Sequence, residues 1–416
     1  MAEQFDLVVV GGGIAGTALA LDLLRHARQR PRIAIIESTP NALESGSGPE
    51  RVIALSHGSR RYLEQLEVWT EVERRGAAPI RTIRIFEAGN SGMATMQSAE
   101  AGIDALGHVA ELANILAPLR AGLGDAVQWY CPAKVESVRL QGDRQLLRLQ
   151  RQGENIEIGA ALVVGSDGSH SQIRRAAGIG SRGWDHNRYG LVASVTPEIA
   201  HDYNAFECFR PSGPLAFLPL DAQRSSIVWT LKPEEAMRLY TASETTFLAQ
   251  LARAGGEEIR ARLGRFHAVG PRACFPFELR LAARLTAPRL ALIGNAAHTL
   301  HPLAGQGMNL GLRDVAVLAD VLGRALDGNR DPGSTVVLEE YAQRRWPDIA
   351  AVASFTEGVN AIYGFSNDLM RLVRASALNG LEQTPPLKRW LLRRAAGIAQ
   401  LADLHTPSRS MHAQSE

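Results

Sequence analysis

The amino-acid sequence predicts an α/β fold, and three observations lead to this prediction. Residues 5–36 read as a strand, a glycine-rich turn, a helix and a second strand, the order found in a Rossmann-like unit. Short apolar runs at 206–209, 215–220 and 227–231 are typical of an antiparallel sheet. From residue 331 onward the pattern is mostly helical. We therefore expect a parallel-sheet domain, an antiparallel-sheet domain and a helical C-terminal region.

Length and composition exclude several classes of protein. A chain of 416 residues is long enough for two or three domains at about 150 residues per domain. Hydrophobic residues make up 45% and charged residues 21%, which excludes a disordered chain, a collagen and a coiled-coil rod. The 45 basic and 43 acidic residues nearly balance, so nothing favours nucleic acid as a partner.

The cysteines and the N-terminus favour a cytoplasmic protein. Cys131, Cys208 and Cys274 lie far apart, which gives neither a disulfide framework nor a metal-binding spacing. The first residues lack the basic-then-apolar order of a signal peptide. The most apolar window, 7–24, contains several glycines and Asp22, so we expect a strand and a helix there and not a membrane span.

The N-terminal unit carries a dinucleotide-binding motif. The buried strand predicted at 5–10 runs into a G-x-G-x-x-G sequence, and a second strand ends at Glu37, 21 residues beyond Gly16. Gly11 permits a tight turn, Gly13 lets the backbone approach a pyrophosphate, and Gly16 allows close packing of helix on strand. The acidic side chain can accept hydrogen bonds from a ribose. An ordinary glycine-rich turn is the weaker alternative.

Two further glycine-containing segments follow predicted strands. The strand at 158–164 runs into Asp167 and a glycine, which taken alone also fits a plain turn. The strand at 290–293 leads to small residues and then to Gly305 and Gly307 at the start of an apolar helix. This helix start is a second place where backbone N–H groups can face an anion. Two such helix starts suit one long ligand with a pyrophosphate in its middle.

Considered together, the three motifs resemble the FAD-dependent aromatic hydroxylases of the para-hydroxybenzoate hydroxylase class. That family has the N-terminal glycine motif, a central G-x-D-G-x-x-S-x-x-R, here at 165–174, and a late G-D-A-A-H-x-x-x-P-x-x-G-x-G-x-N, here at 294–309. The chain departs from the late motif at Asn295, where the family has Asp. Asparagine keeps an acceptor and gains a donor but loses the charge.

Within this family the chain is most similar to the hydroxylases of ubiquinone biosynthesis, such as the one that acts on 2-octaprenyl-6-methoxyphenol. The segments that carry this similarity are 51–56, 66–69, 109–114, 213–220 and 300–311. The resemblance implies that the substrate is a polyprenylated phenol. It also implies that the enzyme uses FAD, O2 and NAD(P)H, with NADH or NADPH left open, and hydroxylates the ring through a flavin C4a-hydroperoxide.

The resemblance also implies which residues hold FAD. The ADP half would be held by Gly11, Gly13, Ala15, Gly16 and Glu37. Arg51 would lie near the pyrophosphate and the flavin ring, Asp167 would contact the middle of the cofactor or its supporting loop, and Asn295 would bind the ribityl or pyrophosphate region. The residues under the pyrimidine edge of the flavin would be Gly305, Gly307, Met308 and Asn309.

No residue can be assigned a catalytic role from the sequence. His298, His301 and Arg51 are weak candidates for favouring the phenolate. A packing role fits each histidine at least as well, and a surface salt bridge is the weaker alternative for Arg51. A metal site on the two histidines lacks further ligands, so we predict none.

The family fold interleaves its domains, and the same arrangement is predicted here. The FAD-binding domain would use 1–79, 104–178 and 276–330, the substrate domain 80–103 and 179–275, and the helical region 331–416. A second glycine motif is absent from the sequence, so NAD(P)H would bind only transiently.

The tail and the substrate leave alternatives open. Residues 386–394 mix basic and apolar side chains, which fits a peripheral contact with the inner membrane or with partners in a ubiquinone-biosynthesis complex. The same pattern also fits an ordinary helix packed on the protein body. Other functions that remain open are hydroxylation of a small soluble aromatic, a scaffold role without turnover, and reduction of isoprenoid double bonds.

Overall fold

The computed structural model describes residues 2–39, 51–90, 92–301, 305–364 and 368–398. In this part of the chain the strands are β1 (Glu3–Val10), β2 (Ile33–Ile36), β3 (Val52–Ser56), β4 (Ala77–Ile80), β5 (Thr82–Glu87), β6 (Met93–Gln97), β7 (Gly107–Glu111), β8 (Val127–Tyr130), β9 (Lys134–Gln141), β10 (Arg144–Arg151), β11 (Glu154–Gly165), β12 (Ser181–Pro197), β13 (Asn204–Phe209), β14 (Leu215–Pro219), β15 (Ser225–Leu231), β16 (Phe266–Val269), β17 (Ala273–Ala282), β18 (Thr286–Ala287), β19 (Leu290–Leu292) and β20 (His298–Thr299). The helices are α1 (Ile14–His26), α2 (His57–Gln65), α3 (Trp69–Gly76), α4 (Ser98–Ala101), α5 (Leu112–Leu123), α6 (Gln172–Ala176), α7 (Pro233–Tyr240), α8 (Glu244–Leu263), α9 (Gln306–Asp327), α10 (Thr335–Gly364), α11 (Asp368–Glu382) and α12 (Pro385–Ala395), with a 3-10 turn at Gly294–Ala296.

The first sheet is the predicted Rossmann-like sheet. Its order is β18-β19-β11-β1-β2-β8, and β19, β11, β1, β2 and β8 pair in parallel. The central strands are buried along nearly their whole length because apolar side chains cover both faces of a parallel sheet. Helix α1 packs against α5 and α9 over this sheet. The antiparallel strands β10 and β9 extend it beyond β11.

The second sheet has nine strands, in the order β20-β17-β12-β15-β14-β13-β5-β6, with β16 paired to β12. It is antiparallel as predicted, except that β13 and β5 run in parallel. Helices α7 and α8 cover one face of this sheet and form a second apolar core with it. Strand β20 pairs with the end of β17, which joins this sheet to the segment that leads into α9.

A third, small sheet links the other two. Strand β7 lies between β3 and β4 and pairs with each of them in the antiparallel direction. Val52 and Val109 of this sheet pack in a small apolar cluster with Ala205 of the nine-stranded sheet. The β3–β7–β4 sheet therefore lies against the substrate-side sheet near the start of α9, which it contacts.

The fold class predicted from the sequence is confirmed. The chain passes back and forth between the two large sheets, and the elements after residue 331 are helices. The bounds of the individual domains stay predictions. Each predicted strand is present with slightly different ends, and the helix after Gly305 continues to Asp327. Among the described residues, none of the helices combines the length and apolar character needed to cross a membrane.

Candidate active site

The three sequence motifs meet at one edge of the parallel sheet. Val10 at the end of β1 pairs in register with Gly165 of β11 on one side and Ile36 of β2 on the other. Gly165 in turn pairs with Leu292 of β19. Because these strands are parallel, the loops that follow them leave the sheet on the same side. The residues that begin those loops are Gly11, Ser166, Ile293 and Glu37.

Two glycines of the first motif are required by close packing of backbone on backbone. Gly11 has φ +108°, and a Cβ there would lie 2.4 Å from the carbonyl oxygen of Ser166. A Cβ on Gly16 would lie 2.1 Å from the carbonyl oxygen of Gly11. The first turn of α1 is thus pressed against the β1 and β11 loops, and no larger residue fits at either position.

Two other glycines leave room for a ligand. A Cβ on Gly13 or on Gly307 would meet no described atom within 4 Å. Gly13 is the N-cap of α1 and Gly307 is the second residue of α9, and neither helix has a side-chain cap or an acidic residue in its first turn. Both helix starts therefore leave backbone N–H groups available to an anion such as a pyrophosphate.

The two helix starts flank the Gly294 turn, and we call the region between them the trough. Gly294 lies between them, because its ideal Cβ position is 3.6 Å from the Cβ of Ala15 in α1, and a Cβ on Gly311 of α9 would lie 3.3 Å from the Cα of Gly294. The next residue, Asn295, has an exposed side chain. An extended ligand can therefore run from Gly13 past Asn295 toward Gly307.

Glu37 lies at the α1 end of the trough. Its carboxylate accepts hydrogen bonds at 2.9 Å from the backbone N–H of Gly12 and of Thr39. Arg120 donates to the Gly12 carbonyl at 2.8 Å and lies over the Trp129 ring. The half-buried carboxylate keeps lone pairs free for a ribose hydroxyl, since a carboxylate accepts about four hydrogen bonds.

Asp167 supports its loop. One of its oxygens accepts from the Ser171 hydroxyl, and the other accepts from the backbone N–H of Gln172 at 2.7 Å and of Ile173 at 3.1 Å. These bonds close the start of α6 and fix the loop that lies over Gly11. The carboxylate is occupied by its own loop, which favours the supporting role over direct cofactor contact.

A buried ionic network that the sequence analysis did not find holds the late motif in place. Asp314 of α9 is fully buried, and its Oδ2 accepts from the Gly294 N–H at 2.9 Å and from His298 Nε2 at 2.5 Å. Its Oδ1 accepts from Arg345 Nε at 2.7 Å. Arg345 also binds Asp348 at 2.8 Å. The network thus ties α10 and α9 to the Gly294 turn.

The charges in this network stabilise each other. Burial acts to raise the pKa of Asp314, but the neighbouring His298 and Arg345 outweigh it and hold that pKa below its usual range. For Arg345, burial opposes the charged form, and the carboxylates of Asp314 and Asp348 nevertheless raise its pKa. Asp314 is therefore ionised at neutral pH, and the Gly294 turn is anchored to a charge.

The contacts of the two candidate histidines favour structural roles for both side chains. His298 is fully buried and bound to Asp314, so it serves the network. The His301 ring packs edge-on against Phe277 at 4.8 Å and His186 at 5.2 Å between ring centroids. Burial, with a smaller contribution from His186, lowers the pKa of His301 to about 4. The described residues contain no group of side chains able to hold a metal ion.

Asn309 and Arg51 border the α9 end of the trough. The Asn309 side chain accepts from the Ser56 N–H at 2.8 Å and donates to the carbonyls of Ala54 at 3.0 Å and Gly305 at 2.9 Å, so it fastens β3 to the start of α9. Met308 packs against the apolar core that surrounds the parallel sheet. The Arg51 side chain is exposed and forms no ion pair with a described residue. Residues 302–304 of the late motif lie outside the described residues.

Comparison with known proteins gives a consistent result. Residues 4–356 match the family described as FAD binding domain. The ubiquinone hydroxylase UbiL of Rhodospirillum rubrum is 35% identical over 95% of this chain and 90% of its own length. The 3-demethoxyubiquinol 3-hydroxylase of Escherichia coli is 34% identical over 95% of this chain and 99% of its own length.

Among solved structures, the fold is similar to that of p-nitrophenol 4-monooxygenase PnpA from Pseudomonas putida. The TM-score is 0.77 at 21% identity, with 95% of this chain and 98% of the other covered. This likeness concerns the fold.

Proposed function

The chain belongs to the FAD-binding family of flavin-dependent monooxygenases, and we propose that it hydroxylates the aromatic ring of a polyprenylated phenol in ubiquinone biosynthesis. FAD binding is supported by one observation: the trough lies between two helix starts without side-chain caps and has room for a ligand beside Gly13 and Gly307. The substrate part is supported by the two relatives named for ubiquinone hydroxylation, which align over nearly the whole chain.

The residues of the trough fit FAD. Gly13 and the first N–H groups of α1 would face the pyrophosphate, while Glu37 would accept from the adenosine ribose. The exposed amide of Asn295 would bind the ribityl or pyrophosphate region. Gly305, Gly307 and Met308 would lie under the pyrimidine edge, with Asn309 acting through the β3 and Gly305 backbone that it holds. Gly11, Gly16, Ala15 and Asp167 would shape the trough, and Arg51 stands at its border.

When bound, FAD supplies the chemistry of oxygen activation with electrons from NAD(P)H. The protein must orient the phenol and exclude water from the reacting atoms. The start of α9 has a partial positive charge, which favours the negative charge of a reduced flavin ring. The buried Asp314 network keeps the Gly294 turn in a fixed relation to α9, so the middle of the trough and its α9 end do not move independently.

A turnover experiment tests this function. Purified holoenzyme is mixed with NADH or NADPH without oxygen, then exposed to air with a short-chain prenylated methoxyphenol. We expect the phenol to accelerate both NAD(P)H oxidation and O2 consumption, and mass spectrometry to detect a product heavier by one oxygen atom. A parallel reaction with an unprenylated hydroxybenzoate serves as the control for substrate class.

Three results would contradict the proposal. Equal or faster turnover of the hydroxybenzoate would favour a hydroxylase for small aromatics. Reduction of the prenyl chain without O2 use would favour a reductase. A protein that takes up no FAD would favour the scaffold role.

We also propose that the outer face of α12 contacts an anionic membrane surface. Lys388 is buried and pairs with Glu100 at 2.8 Å and Glu382 at 3.0 Å, and Leu392 is buried beside α4, so the helix is docked on the body. The opposite face exposes Leu387 and Trp390 between arginines. Exposed apolar side chains flanked by basic ones suit the headgroup region of a membrane.

Substitution on the outer face tests this contact without undocking the helix. We expect the double variant Leu387→Ser, Trp390→Ser to lose most cosedimentation with vesicles containing phosphatidylglycerol. Leu140→Ser removes an equally exposed apolar side chain on β9 and is the control. Unchanged vesicle binding in the double variant would overturn the proposal, and selective loss of a protein partner would favour a complex instead. Residues 399–416 of the tail lie outside the described residues.

A further inference from the structure

The nine-stranded sheet has two faces of different character. The face toward α7 and α8 is filled with large buried side chains such as Phe217 and Trp229. The opposite face carries one residue from each of five neighbouring strands in continuous register. This cross-sheet row consists of Ile85, Glu207, Ala216, Val228 and Val192. Glu207 is its single polar member.

The cross-sheet row keeps accessible surface in the interior of a sheet. Ile85, Val192 and Val228 are only partly buried, although their strands have neighbours on both sides. Their partners on the other face, such as Trp229, are almost completely buried. Partly exposed apolar side chains in the middle of a sheet are typical of a ligand-binding wall.

The row lies close to the α9 end of the FAD trough. Ala205, two residues before Glu207 on the same face, packs with Val52 of β3. Two residues after Val52, the Ala54 carbonyl is bound by Asn309, and the Ala54 Cβ lies 2.9 Å from the ideal Cβ position of Gly305. A short chain of contacts thus joins the row to the start of α9.

The other border of the row is aromatic. The Phe209 ring, two residues after Glu207 on the same face, stacks on Tyr363 of α10 with 3.5 Å between centroids. On the far side Phe277 lies over Gly190 and contacts His301. A planar ring placed along the row would therefore lie between aromatic walls, with the apolar members beneath it.

Glu207 has no hydrogen bond or ion pair with any residue that the structure describes. Burial raises the pKa of its carboxyl to about 7. The nearby charged groups are already committed to each other, because Arg374 of α11 binds both oxygens of Glu87 in β5. Tyr363, whose pKa burial and Glu87 raise to about 12, stays neutral. An uncompensated carboxyl on an apolar wall is costly unless a ligand supplies its partner.

We infer that Glu207 is a catalytic residue that binds the hydroxyl group of the phenol and accepts its proton during hydroxylation. This inference rests on the proposed function and identifies the polar anchor of the substrate. The O–H bond breaks, its electron pair stays on the phenolate oxygen, and the proton forms an O–H bond with a Glu207 oxygen. The phenolate ring is the stronger nucleophile. When the oxygenated ring becomes aromatic again, the C–H bond at the hydroxylated carbon breaks, its electron pair stays in the ring and its proton passes to solvent. The proton held by Glu207 returns to the phenolate oxygen. The apolar row receives the ring and the first part of the prenyl chain.

The groups that face Glu207 define its expected pH dependence. They are Tyr363 from α10 and the Glu87–Arg374 pair, with His301 and His186 farther along the same face. Tyr363 stays neutral near pH 7 because its pKa is raised to about 12. A base with a pKa near 7 must lose its proton to act, so hydroxylation should rise with pH through about 7 and then level off.

The test compares Glu207→Gln with the control variant Glu258→Gln. Glu258 lies on the α8 side of the same sheet, where its carboxylate pairs with Arg262. Each FAD-loaded protein is given a prenylated phenol and its methyl ether. For Glu207→Gln we expect product formation to fall by about 100-fold, the typical lower range for loss of a general base, and the rise near pH 7 to disappear. Equilibrium dialysis should show that the wild type prefers the phenol over the ether and that this preference is lost in Glu207→Gln. Glu258→Gln should resemble the wild type.

The possible failures can be told apart. A wild type that hydroxylates the phenol, together with a Glu207→Gln variant of equal rate and equal preference for the phenol, would overturn the inference and leave the proposed function intact. A wild type that does not hydroxylate the phenol contradicts the proposed function itself. A Glu207→Gln variant that loses FAD or unfolds is replaced by Glu207→Asp, which should keep the pH-dependent rise with a reduced rate; a flat profile would again overturn the inference.

Discussion

The backbone N–H of Gly294 donates a 2.9 Å hydrogen bond to the buried carboxylate of Asp314, twenty residues later in the chain. This bond fixes the turn between the two helix starts to α9, whose own start forms one end of the trough. The carboxylate is held in turn by His298 and Arg345, so the position of the turn depends on three elements at once.

Asp314→Asn should destabilise the protein strongly, because it leaves the buried Arg345 without its main counter-charge. We expect a loss of about 3 kcal/mol in the free energy of unfolding, in the range for breaking a buried pair, together with weaker FAD retention. Asp320→Asn, on the same helix, removes partly exposed pairs with Arg324 and Arg344 and should cost under about 1 kcal/mol. Urea unfolding monitored by circular dichroism measures both. Equal losses in the two variants would contradict the special role of the buried pair.

Gly13→Val and Gly16→Ala separate cofactor binding from folding. Gly13 has an extended conformation and open space where a side chain would lie, so the valine variant should lose FAD but fold with a loss of only about 1 kcal/mol, because valine is a poorer N-cap than glycine. The smaller change at Gly16 would place a Cβ 2.1 Å from the Gly11 carbonyl oxygen and should destabilise the fold itself. Thermal unfolding of the FAD-free proteins and FAD titration give the two readouts. A Gly13→Val protein that retains full FAD affinity would be evidence against the trough as the cofactor site.

Asn309→Ala should weaken the junction between β3 and α9. It removes three hydrogen bonds, to Ser56, Ala54 and Gly305, and leaves at least two backbone groups without these partners. We expect a loss of about 3 kcal/mol, at roughly 1 kcal/mol per bond. The exposed Gln29→Ala, which loses one bond to Asn329, is the control and should cost less than about 1 kcal/mol. A loss in Asn309→Ala no greater than that of the control would show that the junction is not maintained by this side chain.

Stability should depend on pH through His301. Burial lowers its pKa to about 4 in the folded chain, against the ordinary value of 6.5. Between these values the unfolded chain binds a proton that the folded chain does not, so the free energy of unfolding should fall as the pH drops from 6.5 to 4. The contribution is at most about 3 kcal/mol. Below pH 4 no further loss is expected from this group.

The variant His301→Leu isolates that contribution. Its unfolding free energy should depend less steeply on pH between 6.5 and 4 than that of the wild type, whatever its absolute stability. Buried His108, whose pKa is also lowered to about 4, is present in both proteins and cancels in the difference. Parallel pH dependences in the two proteins would show that folding does not lower the pKa of His301.

Local pattern was enough to predict the elements that form the trough. The spacing from Gly11 to Glu37 and the apolar run before Asp167 depend on neighbours in sequence, and their strands pair as such runs require. Asp314 and Arg345 were missed because their partners are 16 to 31 residues away and no local spacing announces a buried ion pair. Glu207 did leave a signal, as a lone acid within the apolar run at 206–209.

The roles of individual side chains were harder to predict than their positions. Asp167 and Asn309 belong to motifs that resemble cofactor-binding ones, yet the side chains of both form hydrogen bonds with backbone groups of the surrounding loops. His298 and His301 follow each other closely in sequence, but one belongs to an ion network and the other to an aromatic cluster. Which partner a polar group finds depends on tertiary packing, which a linear pattern does not contain.

The register that places Val10, Gly165 and Leu292 side by side has an evolutionary consequence. Because hydrogen bonding between strands keeps the three loops together, stretches of the chain outside the proposed cofactor site, such as α7 and α8, have no part in holding the cofactor. Those stretches can change in length and sequence during evolution, so related proteins can come to bind different substrates while the cofactor-binding loops stay the same.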